Sequence, residues 1–81
     1  MKEGTLKEYE IVEFLKKEND EFRRLSEEHR NLDRLLIDID NRRYLTPEEE
    51  VERRKLQKQK LLRKDKMAAI VRKYKKSQSL N

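Results

Sequence analysis

Cysteine and tryptophan are missing from this 81-residue chain, and glycine, proline and histidine occur once each. Without cysteine there is no disulfide framework, no thiolate metal ligand and no thiol nucleophile. A lone glycine, Gly4, excludes a glycine-rich loop that could cradle a phosphate. Long apolar runs are absent too. No stretch approaches the roughly 18 apolar residues of a membrane span, and the opening MKEGTLKEYE lacks the apolar run of a signal peptide. The expectation is a cytoplasmic protein with no membrane partner. Apolar residues are only 33% of the chain against 48% charged, too few for a globular core but enough for long helices that share a thin one.

What the chain does have is periodicity. In residues 20–41, DEFRRLSEEHRNLDRLLIDIDN, the positions Phe22, Leu25, His29, Leu32, Leu36 and Ile39 fall at alternating steps of three and four. That is the a/d rhythm of a helix with one apolar seam facing another helix. Further on, Leu56, Lys60, Arg63, Met67, Ile70 and Tyr74 repeat the rhythm with fewer apolar members. Between the two, Tyr44-Leu45-Thr46-Pro47-Glu48-Glu49 is strong punctuation: Thr46 is an N-cap, Pro47 suits the first helical position, and Glu49 completes a capping box. A connection this short turns the flanking helices antiparallel. Folding at residues 44–46 sets Leu32 against Leu56, His29 against Lys60, Leu25 against the stem of Arg63, and Phe22 against Met67.

The predicted fold is therefore all-α: an antiparallel, coiled-coil-like helical hairpin over residues 20–76, with its turn at 43–46. Arg42 and Arg43 would close the first arm, as cations suit a helix C-terminus. A shorter helix within residues 1–19 precedes the hairpin, running from Leu6 to about Lys17 behind a capping box of Thr5 and Glu8. Ile11, Phe14 and Leu15 share one face of it. Asn19-Asp20 reads as a break, although a helix running straight through would keep register with Phe22. Residues 77–81 read as a disordered tail.

Residues 19–71 resemble the YdcH-like family of small bacterial helical hairpins of unknown function. The resemblance is carried by Asn19-Asp20-Glu21-Phe22, Glu27-Glu28-His29 and Leu32-Asp33 on one arm. On the other it rests on Leu56, Lys58, Lys60-Leu61, Lys64-Asp65 and Met67. Two residues depart from the pattern: Arg63 stands where an apolar residue is usual, and Glu21 where a proline is common. The resemblance implies the hairpin fold and brings no activity with it.

Candidate chemistry is sparse. His29 has no second nitrogen or sulfur donor near it in sequence, so it reads as a polar seam residue that sets hairpin register with Lys60, Glu28, Asp33 and Lys64, rather than as a metal ligand or general base. The acidic pairs Glu27-Glu28 and Asp38/Asp40 read as solvated faces making i,i+4 pairs such as Asp38 with Arg42. No catalysis, cofactor or small-molecule substrate is expected.

Charge is unevenly spread. Residues 1–20 carry four basic and six acidic side chains, residues 21–46 six of each, and residues 47–81 twelve basic and five acidic. From Arg53 onward Asp65 is the only acid. Arg53, Arg54, Lys58, Lys66, Arg72 and Lys73 are accordingly nucleic-acid candidates, although the basic residues ring the helix and no aromatic stacking platform accompanies them. Leu35, Ile37, Leu61 and Leu62 lie off the seam and form a candidate partner or self-association surface. The expected function is a non-catalytic protein–protein interaction or assembly module, most simply a homo-oligomer. A basic RNA- or ribosome-associated accessory protein is the alternative.

Overall fold

The computed structural model describes residues 7–79. Within them lie three helices, α1 (Glu8–Glu18), α2 (Asp20–Asp40) and α3 (Pro47–Ser79), and no strand. Thr5 and Leu6, which were expected to open α1, lie outside the described residues, as do Leu80 and Asn81. α3 continues three residues past the expected end at Lys76.

At the start of α1 the backbone N–H of Lys7 donates to Glu10 Oε1 at 2.8 Å, so Glu10, not Glu8, supplies the capping carboxylate. Glu8 instead accepts a hydrogen bond from Lys75 Nζ of α3 at 3.3 Å. Asn19 makes the break. Its extended backbone (φ −120°, ψ 108°) interrupts the helix, and its Oδ1 accepts from the N–H of Phe22 at 2.9 Å. This satisfies one orphan donor at the start of α2. Arg23 closes the other side of the joint by donating to the carbonyls of Lys16 and Lys17 at 3.0 and 3.3 Å. A cation there also suits the negative end of the α1 dipole.

α2 ends at Asp40, earlier than the arginines expected to finish it, and its last turn contains no basic residue. Asn41 takes the C-cap, and the connecting segment runs from 41 to 46, two residues longer than predicted. Arg42, freed from the helix, pairs with Glu49 of α3 instead of Asp38. The second capping box is fully formed: Glu49 N–H donates to Thr46 Oγ1 at 3.1 Å, and Thr46 N–H donates to Glu49 Oε1 at 2.9 Å. That backbone donor is the main reason the Glu49 carboxyl titrates below its usual range.

α2 and α3 pack along their seams, with ion pairs descending α2 as they climb α3: Asp40 with Arg53, Asp33 with Lys60, Glu28 with Arg63. The core between them is discontinuous. At one end Ile11 and Leu15 of α1, Phe22 of α2 and Val71 of α3 form a buried cluster, flanked by Val12, Met67, Ile70 and Tyr74. Phe14, on the rim of this cluster, packs its ring on Tyr74 with centroids 5.4 Å apart. Near the connection Leu36, Ile39 and Leu56 form a second cluster, with Leu32 and Leu45 against it. Leu25 is buried between the clusters and belongs to neither.

Candidate interaction surfaces

Between the two apolar clusters the seam is polar. Lys60 Nζ donates to Asp33 Oδ1 at 2.5 Å, and Arg63 Nε donates to Glu28 Oε1 at 3.1 Å. The Lys60 hydrogen bond, reinforced by its charge, holds the Asp33 carboxyl below the usual carboxylate range; partial burial opposes the shift and the nearby His29 adds slightly to it. Both partners lie about one turn further along α2 than the register read from sequence. The reason is side-chain direction. Side chains on a helix lean toward its N-terminus, which for α3 is the end at the connection, so Lys60 and Arg63 reach that way.

His29 is half-buried on the seam and forms no hydrogen bond among the described residues. The expected His29–Lys60 link is thus replaced by Asp33–Lys60, and Lys64 stays exposed outside the group. Among the described residues no three His, Cys, Asp or Glu side chains are placed to share a metal ion, and no buried side-chain polar atom lacks a hydrogen-bond partner.

The exposed apolar residues do not gather into one patch. Ile37 and Leu61 line a shallow groove between α2 and α3, with Asp33 and Asp40 on one wall, Lys60 on the other and Leu36 as its floor. Leu35 and Leu62 are exposed but line no part of it. Leu35 sits two residues from Ile37, about 200° round the helix, so the two cannot share a face.

The basic residues of α3 are sorted by the fold. Arg53, Lys60 and Arg63 are half-buried on the seam and committed to carboxylates of α2. Arg53 is therefore removed from the nucleic-acid candidates. Arg54, Lys58, Lys66, Arg72 and Lys73 are exposed and, among the described residues, hold no ion pair. Lys55 shares this condition and was not singled out from the sequence, though its spacing from Lys58 and Lys73 places it on the same side. The signal for Arg53 was present: the α3 seam extends backward in the same rhythm through Arg53 to Glu49.

Taken together these features define an all-helical chain with a thin, interrupted core and two contrasting exposed surfaces. Residues 22–71 match the family model described as Protein of unknown function (DUF465), and the chain belongs to that family. This is the family whose likeness is visible in the sequence. No curated protein and no solved structure matches the chain. α1, which covers Phe22 and Val71, lies outside the matched residues.

Proposed function

We propose that this chain is a non-catalytic assembly module of the bacterial cytoplasm: an antiparallel, coiled-coil-like helical hairpin that pairs with a second copy of itself through the Ile37–Leu61 groove. The reversed order of the ion pairs along α2 and α3 supports the hairpin. The observation carrying the function is the balance of apolar side chains. Among the described residues the large hydrophobics left exposed, including Leu35, Ile37, Val51, Leu61 and Leu62, are as numerous as the eight apolar residues buried. Of these, Ile37 and Leu61 meet in one groove over Leu36, and it is such a contiguous apolar strip that favours association.

A second copy fits the groove by charge. One wall is acidic, with Asp33 and Asp40. The other carries Lys60, and Lys64 follows one turn beyond Leu61. Asp33 and Asp40 are already paired within the chain, with Lys60 and Arg53, so a two-fold axis along the groove brings two such patches together without burying an unanswered acid. Along a molecule measuring 54 × 20 × 20 Å, one side is large enough for the roughly 800 Å² per partner of a stable interface.

Sedimentation equilibrium tests this. The native chain is expected to dimerise and Ile37→Asp to remain monomeric. Tyr44→Asp, at an exposed position in the connection, should leave the dimer intact. A native chain that stays monomeric at high protein concentration overturns the proposal.

A further inference from the structure

The fold divides the positive charge of α3 into two populations. The inner one, Arg53, Lys60 and Arg63, is neutralised by Asp40, Asp33 and Glu28. The outer one lies on the opposite side of the helix. At 100° per residue, Arg54, Lys58 and Arg72 fall within about 40° of one another in one row. Lys55, Lys66 and Lys73 fall within about 20° in a second row. All six are exposed and, among the described residues, none holds an ion pair. Asp65 is the only acid in the helix from Arg53 onward. The ring of charge in the sequence is, in the folded chain, a two-row basic face.

From residue 54 to residue 73 this face runs about 28 Å along a straight helix. Val51, Leu62 and Ala69 lie between the rows, Asp65 lies within the first row, and no aromatic residue stands on the face. Phe14 and Tyr74 are engaged with each other at the three-helix cluster, off this face. Positive charge spread along one side of a helix without a stacking platform suits the phosphates of a rigid duplex backbone, rather than the unstacked bases of a single strand. An anionic bilayer would instead favour a broad apolar face beside the charge.

We infer that the outer face of α3 binds the phosphate backbone of a nucleic-acid double helix, without reading its sequence, through Arg54, Lys55, Lys58, Lys66, Arg72 and Lys73. The surface is distinct from the Ile37–Leu61 groove, so this function stands whether or not the chain dimerises. Because the six side chains hold no hydrogen bond or ion pair among the described residues, they can be neutralised without disturbing the fold. Shape then decides between an A-form RNA duplex and a B-form DNA duplex, since both present the same phosphate chemistry.

The test is fluorescence anisotropy with labelled RNA and DNA duplexes of mixed sequence, across 50–200 mM salt. Binding of either duplex is expected, independent of sequence. If all six cations engage, affinity for a B-form duplex should fall about a thousandfold over that range, following a log–log slope near −0.9 per phosphate contact. The triple variant Arg54→Gln/Lys58→Gln/Arg72→Gln should retain its helical circular dichroism and thermal midpoint, while the salt slope becomes shallower by about 2.7. Lys55→Gln/Lys66→Gln/Lys73→Gln is an independent second variant expected to do the same. Arg53→Gln, on the seam, should leave the slope unchanged. The inference is overturned if neither duplex binds at 50 mM salt. It is equally overturned if both triple variants bind with native affinity and slope, or if phosphatidylglycerol vesicles bind while the duplexes do not.

Discussion

The three-helix end of the molecule and the middle of the α2–α3 pair are built on opposite terms. At the end, Ile11, Leu15, Phe22 and Val71 from three helices close around one another, and Phe22 is the most deeply buried side chain, 1% exposed. In the middle a single buried leucine, Leu25, sits among half-buried Glu28, His29, Asp33, Lys60 and Arg63. Both stretches follow the same three–four spacing, so both are helical and both face a partner. The difference lies in what the spacing carries. Apolar burial at the end is non-directional and stabilises in proportion to the area removed from water. Partly exposed ion pairs in the middle contribute little energy, but each is satisfied at one register only.

The largest effect separating the two regions is expected from Phe22→Ala. Removing a fully buried aromatic ring leaves a cavity that α1 and α3 can only partly close, at about 3–5 kcal/mol. An equilibrium urea titration measures it. A loss under 1 kcal/mol would mean that α1 does not seal this end, and the contrast between the regions would fail.

Much of this was legible in the sequence. The seams, the Thr46–Glu49 capping box and the break beside Asp20 follow from short-range rules, which act within one turn and need no partner. The residues read opposite Lys60 and Arg63, His29 and Leu25, stand about a turn short of their ion-pair partners Asp33 and Glu28, because a lysine or arginine leans toward the N-terminus of its own helix. The same limit hid the sorting of charge on α3. Arg53 and Arg54 are neighbours in sequence, yet one faces Asp40 and the other faces away. The grouping of Leu35 with Ile37 erred for a simpler reason: proximity in sequence is not proximity on a helix surface.

Acid should weaken the middle of the pair and the connection before it reaches the three-helix end. Asp33 and Glu49 both titrate below their ordinary values in the folded chain, through the Lys60 and Thr46 hydrogen bonds respectively. A depressed folded pKa means the unfolded chain binds the proton more readily. The stability these groups confer is therefore complete above the ordinary carboxylate range, around pH 4 to 4.5, and is lost as pH falls through the lower folded values. Amide exchange followed from pH 6 downward should show protection falling first around residues 33 and 49 and last around Phe22. Lys60→Met should remove the Asp33 part of the effect and leave the Glu49 part. Uniform loss of protection along α2 would count against a division into two regions.

The smallest effect, and the sharpest probe of the middle, is expected from His29→Leu. His29 occupies a seam position between Leu25 and Leu32, half-buried, with no hydrogen bond among the described residues to lose on replacement. Leucine would join the two apolar clusters into one continuous seam, raising stability by about 1 kcal/mol for a side chain of that size at a half-buried site. The register should not shift in this variant alone, because Asp33–Lys60 and Glu28–Arg63 still fix it. Replacing Lys60 and Arg63 by Leu as well should broaden the distances between spin labels on α2 and α3, since an apolar mid-seam without its ion pairs is satisfied at more than one alignment. If the triple variant keeps one narrow distance distribution, the two mid-seam ion pairs are incidental to the register. If His29→Leu instead unfolds the chain, the imidazole is held by an interaction that only its ring can make, and the middle of the seam is a built site rather than a gap in the core.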